Sequence, residues 1–340
     1  MTYQGNAGAA ETERATMKTK LASRGFRQDD SRRVTRRLLN SAAVVLVAIV
    51  SARTALGQIY VAEFYNHAVA EYTVSGGGLV TASLIPGLSG PIAIAADGVG
   101  HLFVADLTRG TIGEYATSGT PVNTALISGL NRPARIALDG NGHLFVVNLG
   151  SGTVGEYSTS GATVNANLIT GLDNPRGIAL DGQGHIFVSD ASAFGSIGEY
   201  TTSGTPINPS LITGLGLPYG IALDEGGDLF VASYDSAIIG EYTTSGATVN
   251  ASLISGLNAP EGLVLGANGD LFVANWNNGT IGEYTTSGGT VNASLITGLN
   301  HPEDLVVVPE PSVVACATLG AALAAARLRK CKRRGRPRAS

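Results

Sequence analysis

The chain has 340 residues, 44% of them apolar, and a formal net charge of −4, which fits one large domain with additional ends. The charge is segregated: residues 58–308 hold four arginines, no lysine and 21 carboxylates, about −17, and the flanks hold the compensating cations. A lysine-free acidic domain excludes nucleic-acid binding, which depends on neutralising phosphates, and Cys316 and Cys331, the two cysteines, both lie in the C-terminal flank, excluding a disulfide framework or thiol chemistry in the domain.

In chain order, residues 1–57 read as an N-terminal extension and export signal. Met1 and Met17 are both candidate starts. Arg32-Arg33 and Arg36-Arg37 precede an apolar run from Ala42 to Val50, and Ala55-Leu56-Gly57 supplies small residues before Gln58. A charged stretch, a short apolar stretch and a small-residue site make a secretory signal. The twin-arginine continuation is poor, so general secretion is expected.

From Gln58 a unit repeats six times. Its marker is Ile59-Tyr60-Val61, Leu102-Phe103-Val104, Leu144-Phe145-Val146, Ile186-Phe187-Val188, Leu229-Phe230-Val231 and Leu271-Phe272-Val273, spaced by 42 or 43 residues. A fixed period of that length means a repeat architecture. Each unit predicts four short strands, in the third unit Pro133–Asp139, His143–Asn148, Thr153–Tyr157 and Val164–Ile169. The runs are rich in β-branched and aromatic residues, and Gly, Asn, Asp or Ser interrupts each before a helix could form. The first two strands are continuously apolar, as strands buried on both faces are. The first unit begins at its second strand, and the chain leaves the domain after a lone first strand, Leu305-Val306-Val307-Val308. The expected fold is therefore all-β: a six-bladed propeller over residues 58–308, its ring closed by the C-terminal strand pairing into the N-terminal blade, with no long free edge. A closed ring of this kind is expected to be a monomer.

Pro175-Arg176-Gly177-Ile178-Ala179-Leu180-Asp181-Gly182-Gln183-Gly184-His185-Ile186-Phe187-Val188 resembles the NHL repeat and related six-bladed propellers. The resemblance implies the architecture and leaves the function open, because propellers host lyases, lactonases, receptors and scaffolds.

Residues 309–340 form the last segment. Pro309-Glu310-Pro311 is followed by an almost wholly apolar run from Val313 to Ala326, then Arg327, Arg329, Lys330, Lys332, Arg333 and Arg334. Pro-Glu-Pro, a short greasy helix and a basic cluster resemble the PEP-CTERM sorting tail. That resemblance implies transient anchoring in the inner membrane, recognition and cleavage by an exosortase-like sorting enzyme, and delivery to the cell envelope or an extracellular matrix of exopolysaccharide. The basic cluster would stay on the cytoplasmic side.

Residues present in every unit point to packing. His101, His143 and His185, one per unit at a turn, are expected to be structural, as are the recurrent Glu-Tyr pairs such as Glu156-Tyr157. No metal, cofactor or nucleophile motif is expected. The informative residues are those that differ between units. The positions after each proline open one mouth of the channel: Ile92, Ala134-Arg135, Arg176, Tyr219, Glu261 and Glu303-Asp304. The loops after the second strands reach the same face with Phe64, Tyr65, Phe194, Tyr234 and Trp276. Charged and aromatic groups at a concave mouth suit a ligand. The sequence thus predicts a binding or scaffold protein, with Arg135 and Arg176 converging beside Tyr219 to receive an acidic glycan. The alternative is a metal-dependent enzyme of the streptogramin-lyase or gluconolactonase-like kind. It asks for converging His, Asp or Glu at the mouth, where only His67, His301, Glu261, Glu303 and Asp304 are offered.

Overall fold

A computed structural model describes residues 57–309. The expected export signal up to Leu56, and the expected sorting tail with Glu310 and Pro311, lie outside the described residues; Pro309 is their last member and is exposed. Among the described residues there is no helix, so none is long and apolar enough to cross a membrane.

Twenty-four strands form six four-stranded antiparallel sheets. Blade 1 holds β1 (Gln58–Glu63), β2 (Ala68–Thr73) and β3 (Leu79–Ile85). Blade 2 is β4 (Pro91–Ala96), β5 (His101–Asp106), β6 (Thr111–Ala116) and β7 (Pro121–Ser128). Blade 3 is β8 (Pro133–Leu138), β9 (His143–Asn148), β10 (Thr153–Ser158) and β11 (Thr163–Thr170). Blade 4 is β12 (Pro175–Leu180), β13 (His185–Asp190), β14 (Ser196–Thr201) and β15 (Pro206–Thr213). Blade 5 is β16 (Pro218–Leu223), β17 (Asp228–Ser233), β18 (Ile238–Thr243) and β19 (Thr248–Ser255). Blade 6 is β20 (Pro260–Leu265), β21 (Asp270–Asn275), β22 (Thr280–Thr285) and β23 (Thr290–Ile296). The last strand, β24 (Pro302–Val308), is the inner strand of blade 1: Ile59 faces Val307 and Val61 faces Leu305. The inner strands touch in the ring β24, β4, β8, β12, β16, β20 and back to β24.

Burial follows the order of strands. The second strands are almost wholly buried, and Phe103, Phe145, Phe187, Phe230 and Phe272 are the largest fully buried side chains. Each such ring contributes about 1.5–3 kcal/mol by leaving water. Tyr60 takes this place in blade 1, and its hydroxyl donates to the Thr117 carbonyl at 3.4 Å in the next blade. Phe272 of blade 6 packs with Ile59, Val61 and Leu305 of blade 1, so the seam is filled like the other blade junctions. Gly77 lies against the Leu295 carbonyl across that seam at φ +67°, where a side chain would have no room.

The recurrent residues are packing and turn devices, as expected. In Gly-Glu-Tyr, each glycine lies under the ring of its own tyrosine: a Cβ at Gly155 would stand 2.8 Å from Tyr157. In Asp-Gly-x-Gly-His, the aspartate folds the turn. Asp97 accepts the amides of Val99, Gly100 and His101 and the His101 Nδ1 at 2.7 Å. Asp139 and His143 repeat the pair at 2.7 Å, and Asp181 and His185 at 2.5 Å. On the outer strands, Asn123, Asn165, Asn208, Asn250 and Asn292 each turn a side-chain oxygen back to accept the amide two residues on. Blade 1 has Thr81 at that register, opposite Glu71 where the other blades place the asparagine.

Ring closure gives a direct test. Truncation after Glu303 removes most of β24 and with it the inner face of blade 1. The expected outcome is loss of the cooperative thermal transition, followed by circular dichroism; a melting curve like that of the full chain would refute closure by β24.

Candidate functional site

Each inner strand starts at a proline and departs from regular pairing just after it. Pro133 faces Asn148 but Arg135 faces Val147, and Pro175 faces Asp190 but Gly177 faces Ser189. Ala134 and Arg176 are thus bulge residues, and a bulge re-aims the side chain it carries. Counting from each proline separates two rings. The second positions are Ile92, Ala134, Arg176, Tyr219, Glu261 and Glu303. The third positions are Ala93, Arg135, Gly177, Gly220, Gly262 and Asp304.

The third positions form the waist of the channel, and here the structure corrects the expectation for Arg135. It does not join Arg176 at the mouth. It is buried, with 8% of its surface exposed, and reaches across the ring. Its Nη1 donates to the Ile92 carbonyl at 3.1 Å, and its Nη2 donates to the carbonyls of Glu261 at 3.1 Å and Glu303 at 3.2 Å. Asp304 lies 3.7 Å from Nη1 and accepts the Ile94 amide at 3.2 Å. Burial pushes the Asp304 carboxyl above its ordinary range, against the pull of Arg135. One guanidinium therefore joins blades 1, 2, 3 and 6. The glycines make room on the other side: a Cβ at Gly177 would overlap the Tyr219 carbonyl, and one at Gly220 the Glu261 carbonyl. The Ser189 hydroxyl bridges blades 4 and 5, accepting the Gly177 amide at 2.6 Å and donating to the Tyr219 carbonyl at 2.7 Å. Arg135 and Asp304 also line a cavity of about 230 Å³, otherwise walled by Ile94, Ile136, Ile178, Ile221, Leu263 and Leu305 among others.

Above the waist, the second positions and the loops after the second strands build the mouth. Arg176 lies over the Tyr219 ring, 4.7 Å from its centroid. From there aromatic rings follow in sequence around the rim, all half-buried except the exposed Tyr65. Tyr219 and Tyr234 are 5.0 Å apart, Tyr234 and Trp276 6.5 Å, Trp276 and His301 4.2 Å, His301 and Tyr65 4.8 Å, and Tyr65 and Phe64 5.1 Å. The arc spans blades 5, 6 and 1, and Arg176 of blade 4 caps one end. Phe194, 83% exposed, stands outside it. His301 was noted in the sequence only as a possible metal ligand; its ring is instead the link between Trp276 and Tyr65. It holds φ +55° immediately before Pro302, a conformation uncommon for a residue with a side chain.

Two carboxyls sit beneath the arc. Glu261 is buried, and Glu303 is its neighbour at the same position of the next inner strand. Burial first, and then the neighbouring Glu303, raise the Glu261 carboxyl well above the usual range, with Arg135 and Arg176 pulling the other way. Glu303 also accepts the Trp276 Nε1–H at 3.1 Å, which fixes the indole.

The residues present do not fit the metal that the lyase or lactonase alternative needs. Among the described residues no group of three His, Cys, Asp or Glu side chains is placed to hold an ion. His101, His143 and His185 lie at the opposite end of the blades, each tied to its own aspartate.

No family model matches the chain, and no curated protein matches it. Among solved structures it is similar to a chain of a nidogen/laminin complex, with a TM-score of 0.63 and 18% identity over 74% of this chain and 98% of that one. A streptogramin B lyase matches with a TM-score of 0.52 and 22% identity over 64% and 72% of the two chains. A gluconolactonase from Xanthomonas campestris matches with a TM-score of 0.50 and 18% identity over 62% and 79%. These likenesses share the propeller fold, which carries unrelated functions.

The waist makes a stability prediction. Arg135→Ala strands Asp304 and three carbonyls in the channel, and should cost about 3–5 kcal/mol, as loss of one partner from a buried pair does. In a domain of this size that lowers Tm by roughly 10 °C. Adding Asp304→Asn should recover part of the loss in calorimetry. An unchanged Tm in the single variant would show that Arg135 does not hold the ring.

Proposed function

We propose that the chain is a non-enzymatic binding propeller that takes a carbohydrate at the mouth. The aromatic arc from Tyr219 to Phe64 is the observation that carries this reading. Aromatic faces stack on the apolar faces of sugar rings, and the carboxyls and Arg176 beside them supply hydrogen bonds to hydroxyls. The acidic-glycan preference expected from paired arginines loses its second cation, because Arg135 is committed to the waist. Arg176 alone remains, over the Tyr219 ring, with its Nε buried and without a hydrogen-bond partner among the described residues.

The place of action is proposed from the flanks. A secretory signal and a tail resembling PEP-CTERM would send the propeller, through an exosortase-like enzyme, to the envelope or an exopolysaccharide matrix, where glycan chains are the abundant ligands. A glycan-binding scaffold fits that setting. The enzymatic alternative finds no donor set for its metal in the described residues.

Trp276→Ala removes the ring at the centre of the arc and should weaken oligosaccharide binding about tenfold, or about 1.4 kcal/mol. Phe194→Ala, outside the arc, should leave it unchanged. Titration calorimetry of both variants against a panel of neutral, acidic and amino oligosaccharides makes the comparison. A panel with no ligand for the native chain, or equal binding by the Trp276 variant, would overturn the carbohydrate reading and leave a scaffold.

A further inference from the structure

Arg176 is the cation of the mouth that the fold does not use. The bulge after Pro175 aims it out of the waist, and its guanidinium lies 4.7 Å from the centroid of the Tyr219 ring. Arg109 is paired with Asp106 and Arg135 with Asp304. Arg176 has no such partner among the described residues, and its Nε is buried without a hydrogen bond. A buried donor with no acceptor is costly, and at the mouth of a channel a ligand can supply what the protein does not.

The neighbours decide what kind of ligand. Around the second positions Arg176 stands between Ala134 of blade 3 and Tyr219 of blade 5. Ala134 and, beyond it, Ile92 are buried and apolar. The carboxyls of the same ring, Glu261 and Glu303, lie on the far side of Tyr219 in blades 6 and 1, and Glu303 is engaged by the Trp276 indole. A negative group entering on the blade 3 side therefore meets a guanidinium and no carboxyl of that ring. On the blade 5 side it meets Tyr219, the first ring of the arc.

We propose that the mouth binds a uronic acid residue of a glycan, with the sugar carboxylate on the fork of Arg176 and the sugar face on the rings that follow from Tyr219. The inference rests on the carbohydrate reading above and narrows it to one charged class. The planar guanidinium matches the two oxygens of a carboxylate, one accepting from Nε and the other from an Nη. Reaching Nε requires the guanidinium to turn on the face of Tyr219, and no hydrogen bond to a described residue resists that turn. The charge of the domain, about −17, opposes an anion at long range. Salt limits that reach to about 8 Å under physiological conditions, so the field slows approach while the paired contact sets the preference.

The test uses the full chain and two probes, an oligogalacturonate and its methyl ester, which keeps the sugar rings and removes the charge. Titration calorimetry is run at about pH 7, where a sugar carboxyl is ionised. The expected result is about tenfold or more tighter binding of the acid. Arg176→Gln, its fold checked by the thermal transition, should bring acid and ester to equal affinity. Arg176→Lys should recover only part of the preference, since it restores the charge and not the fork. Equal affinity of the native chain for the two probes, or a preference that survives Arg176→Gln, overturns this inference and leaves the carbohydrate reading standing. A sulfated neutral oligosaccharide that binds more tightly than the acid overturns the uronic-acid assignment in favour of sulfate esters. Succinate bound as tightly as the oligogalacturonate, and lost in Arg176→Gln, keeps the anion site and overturns the carbohydrate reading.

Discussion

No blade of this molecule can bury its own faces, so the pairing of β24 with β1 is the constraint on which the rest depends. The second strands are apolar on both sides, and the phenylalanine of the marker tripeptide packs in a cluster completed by the neighbouring blade. An open row of blades would leave two such faces wet. Closing the ring removes both at once, by making β24, the last strand of the described residues, the first strand of the first blade. Closure also brings residues more than 200 positions apart into one layer, including Asp304 beside Ile94 and Asn300 beside Glu63.

Closure creates a second problem, which the third positions solve. Six inner strands meeting at an axis present backbone carbonyls to a narrow channel. Where blades 4, 5 and 6 approach, glycine removes the side chain. On the blade 3 side, one arginine fills the channel and takes three carbonyls as acceptors. A buried cation is tolerable only with such partners. The mouth is then free to vary, because the bulge after each proline turns the second side chain away from the packed waist.

The period, the strands and the closure were legible because the repeat fixes them six times over. Pro133, Asn148 and Thr153 open or close strands where turn chemistry says they should. The mouth was legible in part. Tyr219, Tyr234, Trp276, Glu261 and Glu303 were identified by asking which positions differ between units. Arg135 was misplaced because it was grouped with Arg176, although it stands one residue further from its proline. In a strand that single step turns a side chain to the other face. Alignment of the six units on their prolines would have shown the difference. The stacking of His301 between Trp276 and Tyr65 had no such signal, since those residues come from three separate segments. The asparagines of the outer strands had one: an Asn recurs at the same register in five units, next to small polar residues.

Those asparagines bear on how the molecule lives among copies of itself. Six outer strands, uncharged along their length and carrying exposed Val80, Val122, Val164, Ile207, Val249 and Val291, are six templates for sheet growth between molecules. A side chain that occupies an edge amide leaves that template one bond short of a partner strand. Five blades have this guard and β3 does not. A crowded population would thus be shielded from fibrous assembly on five sides, and its sixth, with Leu79 and Val80 outward, is where uncontrolled strand addition would begin.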